Sequence, residues 1–278
     1  MTVRKQPKFS VAIKSEAYQQ LIKNTLGDPK IAQRFTSSIM SAVSINPQLQ
    51  VCDPGTILTA GLQGEALQLS PSPQMGHFYM VPFKNNKRGV SEAQFQLGYK
   101  GYIQLAIRSG QYKTINAMAV KEGEEFKFDR LTEEFEMISY IENDTERENA
   151  RTVGYVGVLE LNNGFKKTIY WTKEKMEEHA LKYSMGYRAK KGYTFWEKNF
   201  DEMAFKTILR QLISKWGIMS IEMQSAYNAD MGVIRENNEV DYVDNDSNDP
   251  RINKEEAIDQ TEEEVEGAPA SEEVEVEL

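Results

Sequence analysis

Apolar residues recur at three- and four-residue intervals in the first quarter of the chain, and two Asp-Pro pairs divide this pattern into separate helices. Asp28 with Pro29, and Asp53 with Pro54, each place a capping residue before a proline, which suits the first position of a helix. The first pair predicts a helix that ends before residue 47, and the second predicts one that ends near residue 71. A further helix is expected over residues 15–26.

The middle of the chain has the shorter apolar segments that are typical of strands, and it predicts two β-hairpins. Residues 77–83 and 93–97 flank a polar and basic linker, and Pro82 favours an edge position for the first of these strands. Residues 152–161 and 165–171 are joined by Asn-Asn-Gly, whose residues tolerate the positive φ of a tight turn.

The remaining segments predict further elements around these hairpins. They are strands at 115–120 and 135–141, a surface loop at 143–149, and helices at 99–109, 199–216 and 221–229. The sequence therefore predicts an α+β fold in which a small antiparallel sheet with hairpins packs against several helices. Three regions are expected: a flexible basic arm with a short helix (1–30), a folded body (31–235) and a tail (236–278).

The net charge of −9 at pH 7 is unevenly distributed along the chain. Residues 236–278 include 17 acidic and 2 basic residues, so the preceding 235 residues have a net charge of +6. This acidic tail has few large apolar groups and strong self-repulsion, and we predict that it is disordered. Residues 84–113 and 182–215 each have a net charge of +5, whereas residues 121–148 between them are acidic. This segmentation indicates a basic groove on the body.

Several classes of function find no support in the sequence. No run approaches 18 consecutive apolar residues, and no apolar segment follows the basic start, so we expect a cytoplasmic protein with no membrane partner. Cys52, His77 and His179 cannot assemble a structural zinc site, and we interpret both histidines as ordinary surface or strand residues. No nucleotide-binding Gly-rich loop and no hydrolase motif is present, so no cofactor is expected.

An acidic cluster leaves one enzymatic alternative open. Glu122, Glu124, Glu125 and Asp129 lie close to Lys127 in sequence, and the Glu-x-Lys within this cluster resembles half of a nuclease motif that holds a metal ion. An acidic hairpin or a solvated loop accounts for the same residues without chemistry. No residue is therefore predicted to be catalytic or metal-binding, and a metal-dependent nuclease stays an alternative.

Two glycine-containing segments combine basic and aromatic residues in a way that is typical of single-strand binding. In residues 96–102 a lysine lies between two glycines with a tyrosine on either side, and in residues 183–198 basic and aromatic residues alternate. Basic groups can neutralise phosphates, rings can stack on bases, and glycines can let the backbone approach a phosphate. Tyr102, Phe195 and Trp196 could equally belong to the core.

Two longer blocks carry a resemblance to a known family. Residues 98–110 (GYKGYIQLAIRSG) and 201–212 (DEMAFKTILRQL) resemble signatures of the RecT family of phage single-strand annealing recombinases. Residues 54–69 resemble the family's early helix, although residues 64–69 are less apolar than is usual there, which affects packing more than DNA contact. The similarity extends over residues 35–229.

This resemblance implies ATP-independent annealing of complementary DNA strands in phage recombination, with residues 31–235 as the DNA-binding and annealing domain. It implies that subunits assemble into rings or helical filaments along a basic groove, and that single-stranded DNA and the annealed duplex are the ligands. A phage 5′–3′ exonuclease and the single-strand-binding protein of the bacterial host are the implied partners. The resemblance implies no enzymatic activity.

The resemblance and the charge pattern together yield thirteen candidate DNA contacts. The matching blocks suggest phosphate contacts at Lys100, Arg108, Lys206 and Arg210, and contacts near the strand at Gln96 and Tyr99. Charge alone adds Lys198, Lys215, Lys84, Lys87, Arg88, Lys190 and Lys191. A single-strand DNA-binding protein without annealing activity is a further alternative, alongside the nuclease.

Overall fold

Helices open the chain and antiparallel strands form its middle in the computed structural model, which describes residues 7–85, 88–192, 194–235, 237 and 239–241. The helices are α1 (Phe9–Ala12), α2 (Glu16–Leu26), α3 (Pro29–Ile45), a 3₁₀ helix (Pro47–Val51), α4 (Pro54–Ala66), α5 (Tyr99–Ser109), α6 (Asp144–Asn149), α7 (Lys173–Tyr183), α8 (Met185–Arg188), α9 (Phe195–Lys198), α10 (Phe200–Trp216) and α11 (Ile221–Ala229). The strands are β1 (Phe78–Asn85), β2 (Val90–Leu97), β3 (Tyr112–Lys121), β4 (Glu125–Phe128), β5 (Phe135–Ser139), β6 (Thr152–Leu161), β7 (Lys166–Thr172), β8 (Val233–Ile234) and β9 (Val240–Asp241).

The two Asp-Pro signals begin helices as predicted. The Asp28 carboxylate accepts hydrogen bonds from the backbone amides of Lys30 (2.7 Å) and Ile31 (3.3 Å) at the start of α3. Asp53 accepts one from the amide of Gly55 (3.0 Å) at the start of α4. These bonds satisfy backbone donors that have no partner within a helix, which fixes where α3 and α4 begin.

The flexible basic arm predicted at the start of residues 1–30 is wrong from Phe9 onward. Phe9 and Ile13 are each only 1% exposed and belong to a hydrophobic core, so α1 is packed against the body. A single phenylalanine in a short basic segment gives no periodic pattern, yet its burial removes a large apolar area from water. Residues 1–6 of the predicted arm lie outside the described residues.

Both predicted hairpins are confirmed. β1 pairs with β2 from Phe78 opposite Leu97 to Asn85 opposite Val90, and within the described residues β1 has no other strand partner, as Pro82 requires. β6 lies between β3 and β7 in a three-stranded antiparallel sheet. A separate two-stranded sheet consists of β4 and β5.

Helix α10 connects two hydrophobic cores. The first core combines the N-terminal helices with β1, β2, α5 and α11, and it includes Ile213 of α10. The second core lies between the β3–β6–β7 sheet, α7 and α10, and it includes Ala204, Ile208 and Leu212. Because α10 is buried on two sides, it holds the N-terminal helices and the central sheet in a fixed relation.

The structure differs from the sequence-based expectation at three further places. Residues 144–149 form helix α6 rather than a loop, because the Asn143 side chain caps it by accepting the amide of Glu146 at 3.0 Å. Helix α7 was not predicted, and β4 forms with β5 the acidic hairpin that the sequence offered, beside a solvated loop, for residues 122–129. The tail predicted from residue 236 is wrong at its start, since Ile234 of β8 pairs with Val240 of β9. Residues 242–278 of the predicted tail lie outside the described residues.

No helix in the described part of the chain combines the length and the apolar character that a membrane crossing requires.

Candidate nucleic-acid interface

A cleft lies where β2 leads into α5, and it contains residues from both glycine-containing segments. It is lined by Tyr79, Gln96, Leu97, Gly98, Tyr99, Phe195, Asn199, Glu202, Met203 and Lys206. We call this the α5 cleft. The antiparallel register of β1 and β2 sets Tyr79 opposite Gln96, and the first turn of α10 supplies the opposite wall. The structure therefore brings the three candidates Gln96, Tyr99 and Lys206 to one place.

The two glycines of this segment serve packing rather than approach to a ligand. A Cβ at Gly98 would overlap the carbonyl oxygen of Gly76, and one at Gly101 would overlap that of His77. The Gly98 amide also donates to the His77 carbonyl at 2.9 Å. The interpretation that these glycines bring the backbone close to a phosphate is therefore not supported. They let the start of α5 pack closely against the chain before β1.

Replacing Gly101 by alanine is expected to lower the free energy of unfolding by about 1–3 kcal/mol, because backbone must shift to accommodate the methyl group. Denaturant unfolding followed by circular dichroism measures the loss. Gly164 in the β6–β7 turn has open space around its Cβ position but a φ of 89°, so it is an unsuitable control. Gln104→Ala, at an exposed position of α5, is a better one, and equal stability of the two variants would contradict the packing role.

The first turn of α5 gives the cleft a favourable field for an anion. Gly98 is the N-cap residue, and among the described residues no side chain caps this helix start. The amides at a helix start carry a partial positive charge, which attracts phosphate groups. Lys100 in this turn is exposed, and its Nζ lies 5.8 Å from the Tyr99 ring centroid.

Three half-buried aromatic rings form the apolar part of the α5 cleft. The Tyr79 and Phe195 ring centroids are 5.4 Å apart, and the Tyr99 ring meets Phe205 edge-on at 5.7 Å. The sequence left open which of Tyr102, Phe195 and Trp196 belong to the core. Phe195 lines the cleft, whereas Tyr102 is completely buried and Trp196 is 7% exposed, so these two belong to the core.

Lys206 and Arg210 do lie side by side on α10, but they face a buried carboxylate. Lys206 Nζ is 2.8 Å from Asp230 Oδ1, and Arg210 Nη1 is 2.9 Å from Asp230 Oδ2. The Tyr102 hydroxyl donates to the same carboxylate at 3.1 Å, and the Leu97 amide donates to it at 2.8 Å. Lys206 is 7% exposed and Asp230 is 1% exposed. This buried network joins α5, α10, β2 and the end of α11.

Burial determines what Lys206 can do. Burial lowers the pKa of Lys206, Arg210 lowers it further, and Asp230 acts in the opposite direction. The ammonium is committed to Asp230, so the structure gives no support to its predicted role as a direct phosphate contact. Arg210 is partly exposed, and its guanidinium lies 3.9 Å from the Tyr227 ring centroid. Both side chains hold the wall of the cleft in place.

The Arg108 side chain hydrogen-bonds to a carbonyl group at the end of α4. Its guanidinium donates to the Leu67 carbonyl oxygen at 2.6 Å, immediately after α4 ends. Carbonyl groups in the last turn of a helix lack partners within the helix, and a cation there is favourable. Arg108 is exposed, so its remaining donors are accessible, but its first role is to connect α5 to α4.

The other candidates lie at several different places on the protein. Lys84 and Arg88 are at the far end of the β1–β2 hairpin, seven residues or about 23 Å from the α5 end. Arg88 there pairs with the buried Glu92 at 2.6 Å. Lys215 is nine residues after Lys206 on α10, about two and a half turns, and so on its opposite face.

The remaining candidate DNA contacts lie mainly in the loop before α9 and at the end of α9. Lys190 and Lys191 are exposed in this loop, and Lys198 is exposed next to the cleft residue Asn199. Lys87 lies outside the described residues. Among the described residues, Gln96, Tyr99, Lys100, Lys198 and Lys206 are thus close to the α5 cleft. One groove that contains all the candidates is not visible there, and the basic groove stays a prediction.

The acidic cluster does not assemble a metal site in the described part of the chain, where no three potential ligand groups converge. Glu124 is buried and accepts from Arg147 Nε at 2.6 Å and from the Lys121 amide at 2.8 Å. Although burial alone would raise the pKa of Glu124, these bonds lower it. The Asp129 carboxylate accepts backbone amides in a turn. These residues have structural roles, and the nuclease alternative gains no support from them.

Asp230 is the residue that the sequence analysis missed. It lies just after α11, outside both blocks, and nothing in the local pattern distinguishes it from an exposed acid. The only available signal was the neighbouring pair Lys206 and Arg210 on a helix rich in apolar residues, because cations on a helix that packs inside the protein require a counter-charge.

The fold and the cleft define an α+β protein with an aromatic cleft at the start of a helix, and comparison with known proteins identifies its family. The sequence model of the RecT family matches residues 33–266. The chain is 42% identical over 197 residues to "Uncharacterized protein YqaK" of Bacillus subtilis (strain 168), which covers 71% of this chain and 63% of YqaK. It is 33% identical over 201 residues to "Protein RecT" of Escherichia coli (strain K12), which covers 72% of this chain and 71% of that protein. The protein belongs to the RecT family.

Proposed function

We propose that this protein is a single-strand annealing protein of DNA recombination, which binds single-stranded DNA along a surface that includes the α5 cleft and pairs complementary strands without ATP. Membership of the RecT family over residues 33–266 is the observation that carries the proposal. Self-assembly along the strand is part of it. A partner exonuclease and the host single-strand-binding protein are proposed on the same basis.

The α5 cleft supports this function through three features that suit a strand. The amides at the start of α5 and the exposed Lys100 and Lys198 can neutralise phosphates, while Tyr79, Tyr99 and Phe195 offer apolar ring surface. A strand that is held by its backbone and by stacking keeps base edges available for pairing. Sequence choice is then left to complementarity, so the protein itself should accept any sequence.

The direct test is the annealing of two labelled complementary oligonucleotides without ATP, at several salt concentrations and with a noncomplementary control. Acceleration that depends on complementarity and weakens with salt is expected. Strand binding without acceleration would instead favour a single-strand DNA-binding protein, and loss of strand length on addition of magnesium would favour the nuclease. Absence of any strand binding would contradict all three.

Lys100→Glu is expected to weaken affinity for single-stranded DNA by about tenfold near 0.1 M salt and to reduce the salt slope by about 1. The reason is the loss of one phosphate contact and the addition of a like charge at the start of α5. Fluorescence anisotropy with a labelled oligonucleotide measures both quantities. Because Lys100 is exposed, circular dichroism should be unchanged.

Two control variants make the test specific to the α5 cleft. Lys30→Glu makes the same charge change at an exposed position of α3, and its affinity should stay close to that of the wild type. Glu202→Gln removes the carboxylate that lines the cleft and should strengthen binding. Equal weakening by Lys100→Glu and Lys30→Glu would show that net charge alone matters, and the cleft would lose its proposed role.

A further inference from the structure

The β4–β5 hairpin is an acidic projection on a body that is otherwise basic. Residues 122–142, which contain it, include eight acidic and two basic residues, whereas the rest of residues 1–235 has a net charge of +12. Glu125, Glu134 and Glu136 are exposed, and within the described residues none of them has an ion-pair partner. Phosphate groups would be repelled here, so the hairpin is unsuited to contact DNA.

The same hairpin exposes large apolar side chains on its outer surface. Leu131 at the tip is 92% exposed, the highest value among the exposed large apolar residues of the described chain. Ile138 on β5 is 51% exposed, and Tyr140 just after β5 is 59% exposed. Exposed apolar side chains with charged neighbours are typical of surfaces that bind another protein.

The hairpin is held rigidly, so these side chains are presented in one arrangement. On its inner face, Phe126 and Phe135 stack at 5.3 Å, and Phe126 contacts the Tyr170 ring of β7 at 5.0 Å. At the tip, the Asp129 carboxylate accepts the Leu131 amide at 2.7 Å. A surface that is already ordered loses little conformational entropy on binding.

We propose that the β4–β5 hairpin is the contact through which one copy of this protein docks onto the basic surface of the next copy. The inference rests on the self-assembly that is part of the proposed function. Charge complementarity selects the partner, since the acidic hairpin suits the basic body of another copy. It also selects the geometry, because two hairpins placed against each other would bring like charges together. The contact therefore joins two different surfaces of the protein, as the head-to-tail assembly of a ring or filament along the strand requires.

The test compares full-length wild type with the double variant Leu131→Glu/Ile138→Glu by mass photometry, with and without long single-stranded DNA. Self-association of the variant is expected to weaken at least about tenfold. Binding of a short oligonucleotide, long enough for one subunit, should change by less than about twofold. Val51→Glu is the matched control, since Val51 is 66% exposed on the 3₁₀ helix and should not affect assembly.

The outcomes separate this inference from the proposed function. The inference would be overturned if the double variant assembled at the same protein concentration as the wild type. It would also be overturned if the wild type failed to assemble under any condition. Loss of assembly only in the double variant, in a protein that does not bind DNA, would support the hairpin contact and reject the proposed function. A photoreactive phenylalanine at position 131 should cross-link to a second copy outside residues 122–142. Cross-links between two hairpins would overturn the head-to-tail geometry.

Discussion

Asp230→Ala is expected to lower the free energy of unfolding by about 3–5 kcal/mol, the cost typical of breaking a buried ion pair on one side. The substitution leaves the Lys206 ammonium and the Arg210 guanidinium without their counter-charge. It also leaves the Leu97 amide and the Tyr102 hydroxyl without an acceptor. Because these groups belong to α10, β2 and α5, the damage extends across the first core and the wall of the α5 cleft.

Urea unfolding followed by circular dichroism and by tyrosine and tryptophan fluorescence measures the loss. Asp28→Ala is the matched control, since it removes an exposed carboxylate that only caps α3 and should cost about 1 kcal/mol. A loss in Asp230→Ala no greater than that of the control would show that solvent or another group compensates the two cations. The network would then not hold the wall of the cleft.

The network also determines how the role of α10 in DNA binding can be tested. Charge reversal at Lys206 would place a carboxylate beside Asp230 in the protein interior. Loss of strand binding in such a variant would report loss of structure and not loss of a phosphate contact. Lys100 and Lys198 are exposed near the cleft, so substitutions there test the interface without disturbing the core.

Much of the fold could be predicted from the sequence because its signals are local. Asp28 with Pro29, the turn at residues 162–164, and Gly110, which ends α5 with a φ of 66°, each act within a few residues of their own position. Helix α7 was missed, and the choice between an acidic hairpin with β4 and a solvated loop was left open, for the opposite reason. Both are rich in charged residues, β4 is only 4 residues long, and each is stabilised by contacts with distant parts of the chain.

The candidate site could be predicted only in part, because spacing along a helix does not show what the helix packs against. A four-residue spacing correctly places Lys206 and Arg210 on one face of α10. That face was expected to be exposed, since Ala204, Ile208 and Leu212 supply an apolar face elsewhere. Helix α10 instead lies between two cores, and the second buried side includes Lys206 together with Ile213. Only the distant Asp230 makes this burial possible.

His179 is expected to make the free energy of unfolding depend strongly on pH, which is the second large effect. It was interpreted as a surface or strand residue, but it lies on α7 against Tyr183 at 4.6 Å and Trp171 at 5.5 Å. Burial lowers its pKa from 6.5 to about 4, and the nearby cations Lys182, Arg210 and Lys175 act in the same direction. The folded protein therefore keeps this imidazole neutral at pH values where the unfolded chain binds a proton.

Between pH 6.5 and about 4, the unfolded state binds more protons at this residue than the folded state does, so stability falls as pH falls. The contribution of His179 to this loss is up to about 3 kcal/mol, from 1.36 kcal/mol per pKa unit. Protonation of carboxylates that are paired in the folded state also lowers the stability of the protein in acid, so the wild-type profile alone does not isolate the contribution of His179.

Urea unfolding of wild type and His179→Phe between pH 7 and 4 isolates this contribution, because only the wild type has an imidazole at position 179. The difference in free energy of unfolding between the two proteins should change by about 3 kcal/mol across this range in favour of the variant at low pH. Parallel profiles would mean that the imidazole is accessible to protons in the folded state, and that the packing of α7 against Trp171 opens readily.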